Sequence, residues 1–183
     1  MTLLPPISDV LLTAPPALLR PLRPDDADAI CLAAQDPLIE RYTSVPFPFT
    51  IDRARELIAQ AQHDWAQDAA ARFAIVVDGE VVGTASLLHI YGIECDAEIG
   101  YWLGPAGRGR GVAKAAATAL AEWALGLLGL QQVHVMVDWD NAASLAVARA
   151  AGFEDAGTRW WVHPTDPAKS EEIPYLVRRA EVR

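Results

Sequence analysis

The chain is short of cysteine, of basic charge and of long apolar runs, and each shortage removes a class of function. Its 183 residues include two cysteines, Cys31 and Cys95. Neither sits in a CxxC pair or a Cys/His cluster, so the spacing offers no zinc site and no disulfide framework. Both read as free thiols of a reducing compartment. His63, His89, His134 and His163 are scattered without ligand spacing, so no metal is expected. Lys and Arg together number 15 against 24 Asp and Glu, a net charge of −9. That balance disfavours a nucleic-acid partner, because affinity for a phosphate backbone comes largely from neutralising it with cations. It leaves room for one small basic pocket and mildly favours a cationic substrate. No run approaches the ~20 apolar residues of a membrane span. The opening Met1-Thr2-Leu3-Leu4-Pro5-Pro6 lacks the basic and apolar regions of a signal peptide. A cytoplasmic protein without membrane partners is expected.

Hydrophobic residues make up 52% and charged residues 21%, the composition of a globular chain long enough for one domain of ordinary size. Residues 1–17, rich in proline and apolar groups, read as an irregular arm, and residues 18–183 as one domain. A strand is expected over 17–23 and helices over 27–34 and 51–65, the latter capped by Thr50. Strands over 72–77 and 80–88 flank Asp78-Gly79, a hairpin signal. A third strand over 97–103 enters a glycine-rich loop, and a long Ala/Leu-rich helix leaves it. In that helix Val112, Ala116, Leu120, Trp123 and Leu127 recur at steps of three and four, the period of a buried face, and Gly129 suits its end. A strand over 132–138, a helix over 141–151 and strands over 157–163 and 173–178 complete the chain. This order suggests an α/β (α+β) fold with helices on both faces of one central sheet.

The sharpest constellation is 97–113, AEIGYWLGPAGRGRGVA. Glycines let the backbone turn tightly and approach a ligand closely. Loop and helix-start N–H groups grip phosphate, and Arg108 and Arg110 add charge-assisted donors. The GxxxxGK[ST] order of a nucleotide-triphosphatase loop is absent, and Gly107, Gly109 and Gly111 have the wrong spacing for a dinucleotide fingerprint. Taken alone, the loop also suits a basic surface turn with no ligand.

RGRGVA at 108–113 matches the (Q/R)xxGx(G/A) acetyl-CoA signature, and the chain thereby resembles the GNAT superfamily of N-acetyltransferases. The preceding AEIGYW strand, the following NAASLAVARAAGF segment at 141–153, and the RPLRPDDADAI and PFPFT stretches are similar to the branch typified by the RimJ and RimL enzymes. The similarity covers roughly 18–178. It implies a central mixed, mostly antiparallel sheet of six to seven strands with one splayed pair, and acetyl-CoA as co-substrate. It also implies direct transfer in a ternary complex with no acyl-enzyme, so Cys95 need not be a nucleophile. By the same resemblance Leu103, Arg108, Gly109, Arg110, Gly111, Val112 and Ala113 would hold the cofactor's pantetheine arm and diphosphate, and Asn141 would contact it.

Acetyl transfer to an amine needs a proton acceptor for the ammonium and a donor near the leaving sulfur. Many superfamily members place a tyrosine seven residues beyond the Asn; here that position is Ala148. Ser144 matches the serine that the RimL-like branch is thought to use, although its hydroxyl would also satisfy helix backbone. Glu98 is the first candidate base and Asp138 the second; Glu98 could equally be a structural acid paired with an arginine. Tyr42, Phe47, Phe49, Trp102, Trp139 and Trp161 could line an acceptor pocket, or pack in the core or rim. The expected acceptor is a protein or peptide N-terminus, with a small amine (aminoglycoside, polyamine or amino-acid derivative) as the alternative. A non-catalytic acetyl-CoA-binding module is the third reading. Specificity is expected from 40–65, 89–96 and 163–172, and either a monomer or a homodimer is compatible.

Overall fold

The computed structural model describes residues 3–90, 96–162, 168 and 170–181. Among these residues eight strands form one sheet in the order β1-β2-β3-β4-β5-β6-β8-β7. They are β1 (Leu12–Ala14), β2 (Ala17–Pro21), β3 (Ala70–Val77), β4 (Glu80–Leu88), β5 (Asp96–Leu103), β6 (Gln132–Met136), β7 (Glu154–Trp161) and β8 (Glu171–Arg179). The helices are α1 (Ala27–Ala33), α2 (Pro37–Tyr42), α3 (Ile51–Ala66), α4 (Val112–Gly126) and α5 (Ala142–Ala150). Every strand pairing is antiparallel except β5 with β6. This is the mixed, mostly antiparallel sheet expected, one strand longer than the upper count.

Local chemistry explains much of the element pattern. Asp78 and Gly79 have φ of 52° and 89°, the two positive values that a tight hairpin matching strand twist requires. Thr50 accepts the Arg53 N–H at 3.3 Å and starts α3. Asp36 accepts the Leu38 N–H at 2.8 Å and Pro37 opens α2, a helix that has only Ile39 buried and was not expected. Asn141 accepts the Ser144 N–H at 3.1 Å and starts α5.

Side chains alternate across the sheet and sort into two cores. Ala97, Ile99 and Leu103 of β5 pack with Phe73, Ile75, Val133, Val135 and the α4 face. Trp65, Phe73 and Trp123 meet there with ring centroids 5.5 to 6.1 Å apart. On the opposite face Ala74, Val76 and Trp102 pack with Ile30, Phe49, Ala54 and Ile58 of the α1–α3 layer.

The segment expected as an irregular arm carries β1, which pairs Leu12 with Leu19 and Ala14 with Ala17. Leu4 and Val10 are buried beside it, so burial and pairing rather than local propensity order this stretch. The long helix ends at Gly126, and Leu127, expected on its buried face, is 69% exposed. Gly129, with φ 70°, lies three residues past that end.

Candidate active site

β5 and β6 pair for only three residues, Asp96 to Glu98 against Gln132 to His134. Beyond that point β5 is paired with β4 alone and β6 with β8 alone. The strands therefore splay, and the facing edges of 99–103 and 135–137 lose their mutual hydrogen bonds. A cavity of about 1070 Å3 opens at this gap and reaches both faces of the sheet. Its wall brings together ten of the residues singled out from sequence, Glu98, Leu103, Arg108, Gly109, Gly111, Val112, Ala113, Asp138, Asn141 and Ser144.

One end of the cavity is the glycine-rich loop. Gly109 and Gly111 have φ of 75° and 74°, left-handed values that an L side chain adopts only with strain. Helix geometry leaves the first N–H groups of α4 without acceptors in the helix, and they start at Val112 on the cavity wall. Arg108 is fixed on this wall. Its Nε donates to the Leu103 carbonyl at 3.0 Å and its Nη1 to Asp36 at 3.0 Å. Burial would raise the Asp36 carboxyl, but the Leu38 N–H and Arg108 outweigh it and hold the group below its ordinary value. Arg110 lies outside the cavity wall and pairs with Asp78 at 2.8 Å. Lys114, in the first turn of α4, lines the cavity and has no charged partner among the described residues. The sequence reading gave it no role at the site.

On the α4–α5 side of the gap stands Tyr101, also missed from sequence. Its hydroxyl lies 3.0 Å from Ser144 Oγ and 3.3 Å from the Ser144 carbonyl. Burial pushes the phenol above its ordinary value, only partly offset by the Ser144 bond, so it stays protonated at neutral pH. The signal was available: Tyr101 lies three residues beyond Glu98 on one strand, which sets the two on opposite faces.

On the other face Glu98 is 25% exposed, with His89 Nε2 3.7 Å from its carboxylate. No arginine pairs with it among the described residues. His134, its register neighbour on β6, instead engages both Asp96 oxygens at 3.0 Å and stacks 5.0 Å from Tyr175. At the mouth, burial raises the Asp138 carboxyl and the adjacent Asp140 adds to it. Asp140 itself is held low: Asp138 and the ion pair with Arg41 overcome its desolvation.

Tyr42, Phe49, Trp102 and Trp161 lie on the cavity wall, and Phe49 and Trp102 also pack in the α1–α3 core. Phe47 and Trp139 do not line it. Phe47 is 47% exposed, with Val45 and Pro46 on the wall beside it, and Trp139 is 58% exposed, tied by its indole N–H to the Glu172 carbonyl at 2.7 Å. Cys31 is a free thiol; Cys95, His163 and most of the 89–96 and 163–172 segments lie outside the described residues. Among the described residues no cluster of metal-ligating side chains is present and no helix is long and apolar enough to cross a membrane.

Known proteins share this architecture. The Acetyltransferase (GNAT) domain family matches residues 17–154. The N-acetyltransferase p20 of Bacillus licheniformis, itself uncharacterized, is 31% identical over 142 residues, which cover 76% of this chain and 79% of p20. RimJ of Mycobacterium smegmatis, solved with a CoA disulfide, superposes with a TM-score of 0.80 at 21% identity, over 93% of this chain and 86% of RimJ. The Salmonella typhimurium acetyl transferase that modifies the N-terminal serine of ribosomal protein L7/L12 superposes with a TM-score of 0.82 at 18% identity, over 94% of this chain and all of that one (100%). With the signature loop and the splayed strands in place, the chain belongs to the GNAT acetyltransferase family, with the fold that RimJ and the L7/L12 enzyme share, and its chemistry is acetyl-CoA-dependent transfer to an amine.

Proposed function

We propose that the acceptor is the N-terminal α-amino group of a protein or peptide, attacked directly in a ternary complex. The observation that carries this reading is the cavity's passage through the sheet, with a carboxylate on one face and a hydroxyl pair on the other. A thioester spanning that gap has its carbonyl open to an amine on the Glu98 side and its sulfur toward Tyr101 and Ser144. The likeness in fold to RimJ and to the L7/L12 enzyme supports a peptide acceptor.

In this reading acetyl-CoA is seated by the backbone of the Gly109–Ala113 stretch, with Arg108, Lys114 and Asn141 beside it. The ammonium loses its proton to Glu98, directly or through water. The amine nitrogen bonds to the thioester carbon, and the carbon–sulfur bond breaks with its electron pair moving to sulfur. A thiol titrates near 8.5 and a phenol near 10. A phenol raised further by burial therefore gives the thiolate no net proton. The 3.0 Å separation of the two hydroxyls allows either to donate; with Tyr101 as the donor, the serine O–H is left free to hydrogen-bond the developing thiolate, and solvent supplies its proton after release. Asp138, raised by burial, stands where it could hold the ammonium before attack.

The cluster of Glu98, Asp138 and Asp140 around the cavity favours a second reading, a small polycationic amine. A panel of peptides with different N-termini, polyamines and aminoglycosides separates the two. Turnover of peptides with modification at the α-amine supports the proposal, and turnover confined to small amines replaces it. Acetyl-CoA binding without turnover of any acceptor would favour the non-catalytic module.

A further inference from the structure

The floor of the cavity on the Glu98 face carries a cation that the transfer reaction does not use. Arg72 of β3, Ser86 of β4 and Gly100 of β5 lie in one register row across three strands. Ala70, Leu88 and Glu98 form the next row along, and Ala74, Thr84 and Trp102 the row on the other side. Strand alternation puts all three rows on one face, and Arg72, Ser86, Gly100, Glu98 and Trp102 all line the cavity.

Gly100 leaves an opening in this floor. A Cβ built there would meet only Leu88 Cδ1, at an ordinary 3.9 Å. Packing therefore does not require glycine at this point, and the space above it belongs to the cavity. Glu98 stands about 7 Å away along β5, and Ser86 about 5 Å away across the strand pair. Arg72 is a further strand across, with its side chain 22% exposed. One of its terminal nitrogens, Nη1, is held by Asp64 of α3, which Gln60 also engages at 2.6 Å. Its Nε and Nη2 have no hydrogen-bond partner among the described residues. An arginine fork is built to take a carboxylate with two parallel donors, and one fixed through Nη1 is already oriented. The other arginines of the wall, Arg41 on α2 and Arg108 in the glycine-rich loop, stand outside these strand rows and pair with Asp140 and Asp36.

We propose that Arg72 and Ser86 form a seat for a carboxylate carried by the acceptor, while its amine lies across Gly100 at Glu98. This rests on the reading of Glu98 as the acceptor side of the gap. The carboxylate has two sources, an acidic side chain at the start of a peptide or the α-carboxylate of a free amino acid. The carboxylate preference is a property of these side chains and not of the glycine-rich loop.

The test is initial-rate thiol release with matched acceptors: peptides starting with Asp or with Asn, and a free amino acid with its amide. Each is run with the wild type and with Arg72→Gln, Arg72→Lys and Ser86→Ala. Acetyl-CoA affinity by calorimetry serves as the control for folding. The expected wild-type result is a kcat/KM at least about 10-fold higher for the carboxylate member of one pair, the size of one charge-assisted hydrogen bond. Arg72→Gln is expected to erase that preference through KM with kcat little changed, Arg72→Lys to keep part of it, and Ser86→Ala to reduce it a few-fold. The pair that responds identifies the source. Equal rates within both pairs in the wild type, or an Arg72→Gln loss that is the same for every acceptor while acetyl-CoA affinity is intact, would overturn the seat. If no acceptor turns over, the acceptor reading above fails, and calorimetric titration of the same pairs in the presence of CoA still decides the seat. Tighter wild-type binding of the carboxylate member, lost in Arg72→Gln, upholds it; equal binding overturns it.

Discussion

Tyr101→Phe removes one oxygen and leaves the ring in place, so it deletes the phenol's contacts with Ser144, to Oγ at 3.0 Å and to the carbonyl at 3.3 Å. Two effects of different size are expected. For stability, a hydrogen bond of this kind contributes about 0.5–1.5 kcal/mol, which for a chain of this length lowers Tm by roughly 1–6 °C. For catalysis, the bond aligns the serine O–H with the developing thiolate, and loss of a donor to developing charge costs about 10- to 100-fold in kcat, or roughly 1.4 to 2.7 kcal/mol. Because the two hydroxyls act in series, Ser144→Ala and the double variant should each lose about as much as Tyr101→Phe alone, a non-additive cycle. The phenol stays protonated across neutral pH, so the pH profile of kcat should keep its shape between wild type and Tyr101→Phe while its height falls. The assay is steady-state thiol release at saturating acetyl-CoA with one peptide acceptor, alongside thermal melts. Additive losses, or a Tyr101→Phe enzyme with wild-type kcat, would refute the series arrangement. A loss seen only in KM for acetyl-CoA would assign the pair to binding instead.

Glu98→Gln should lower kcat by about 10²- to 10⁴-fold and remove the acid limb of the pH–rate profile; an unchanged profile would remove Glu98 as proton acceptor. Gly111→Ala places a Cβ at φ 74°, at a cost of about 1–2 kcal/mol, and should weaken acetyl-CoA binding measured by calorimetry while the acceptor KM stays near wild type. Asp26 is buried at 4% exposure with Arg20 at 2.7 Å. Burial alone would raise its carboxyl, but the Arg20 bond, the Arg23 N–H and nearby positive charge outweigh it and hold it below the ordinary value. A depressed carboxyl stabilises the fold above its unfolded value near 3.9, and that contribution is lost as pH falls through the lower folded value. Denaturant titrations from pH 7 down to pH 2 should show this loss in the wild type and a shallower acid dependence in Asp26→Asn. Arg20→Met should cost about 3 kcal/mol or more at pH 7 by leaving the buried carboxylate unpaired.

Features written locally in the chain were legible, and features made by register or long-range pairing were not. Asp78-Gly79 and Thr50 each act on neighbours within a few residues, and each stands where its chemistry suggested, whereas Asn141, read only as a cofactor contact, also starts α5. The glycine-rich loop was readable for the same reason, since strand, loop and helix are contiguous. β1 was not, because a three-residue strand is defined by its partner Ala17–Leu19 and by buried Leu4 and Val10 rather than by a pattern of its own. α2 escaped because six residues with one buried side chain leave no periodicity to find. Tyr101 meets Ser144 across 43 residues, and Arg72 meets Ser86 and Gly100 only through sheet register. Arg108 was legible as a residue of the loop, but its capture by Asp36, 72 residues earlier, depends on α2.

The most direct test of the account is mass spectrometry of a peptide acceptor after incubation with the protein and acetyl-CoA, run in parallel with thiol release and with the Glu98→Gln variant. The expected result is one acetyl group on the α-amine, thiol released in equal amount, and both lost together in the variant. Thiol release without acetylated peptide or any other acetylated amine, or no calorimetric binding of acetyl-CoA by the folded protein, would contradict it.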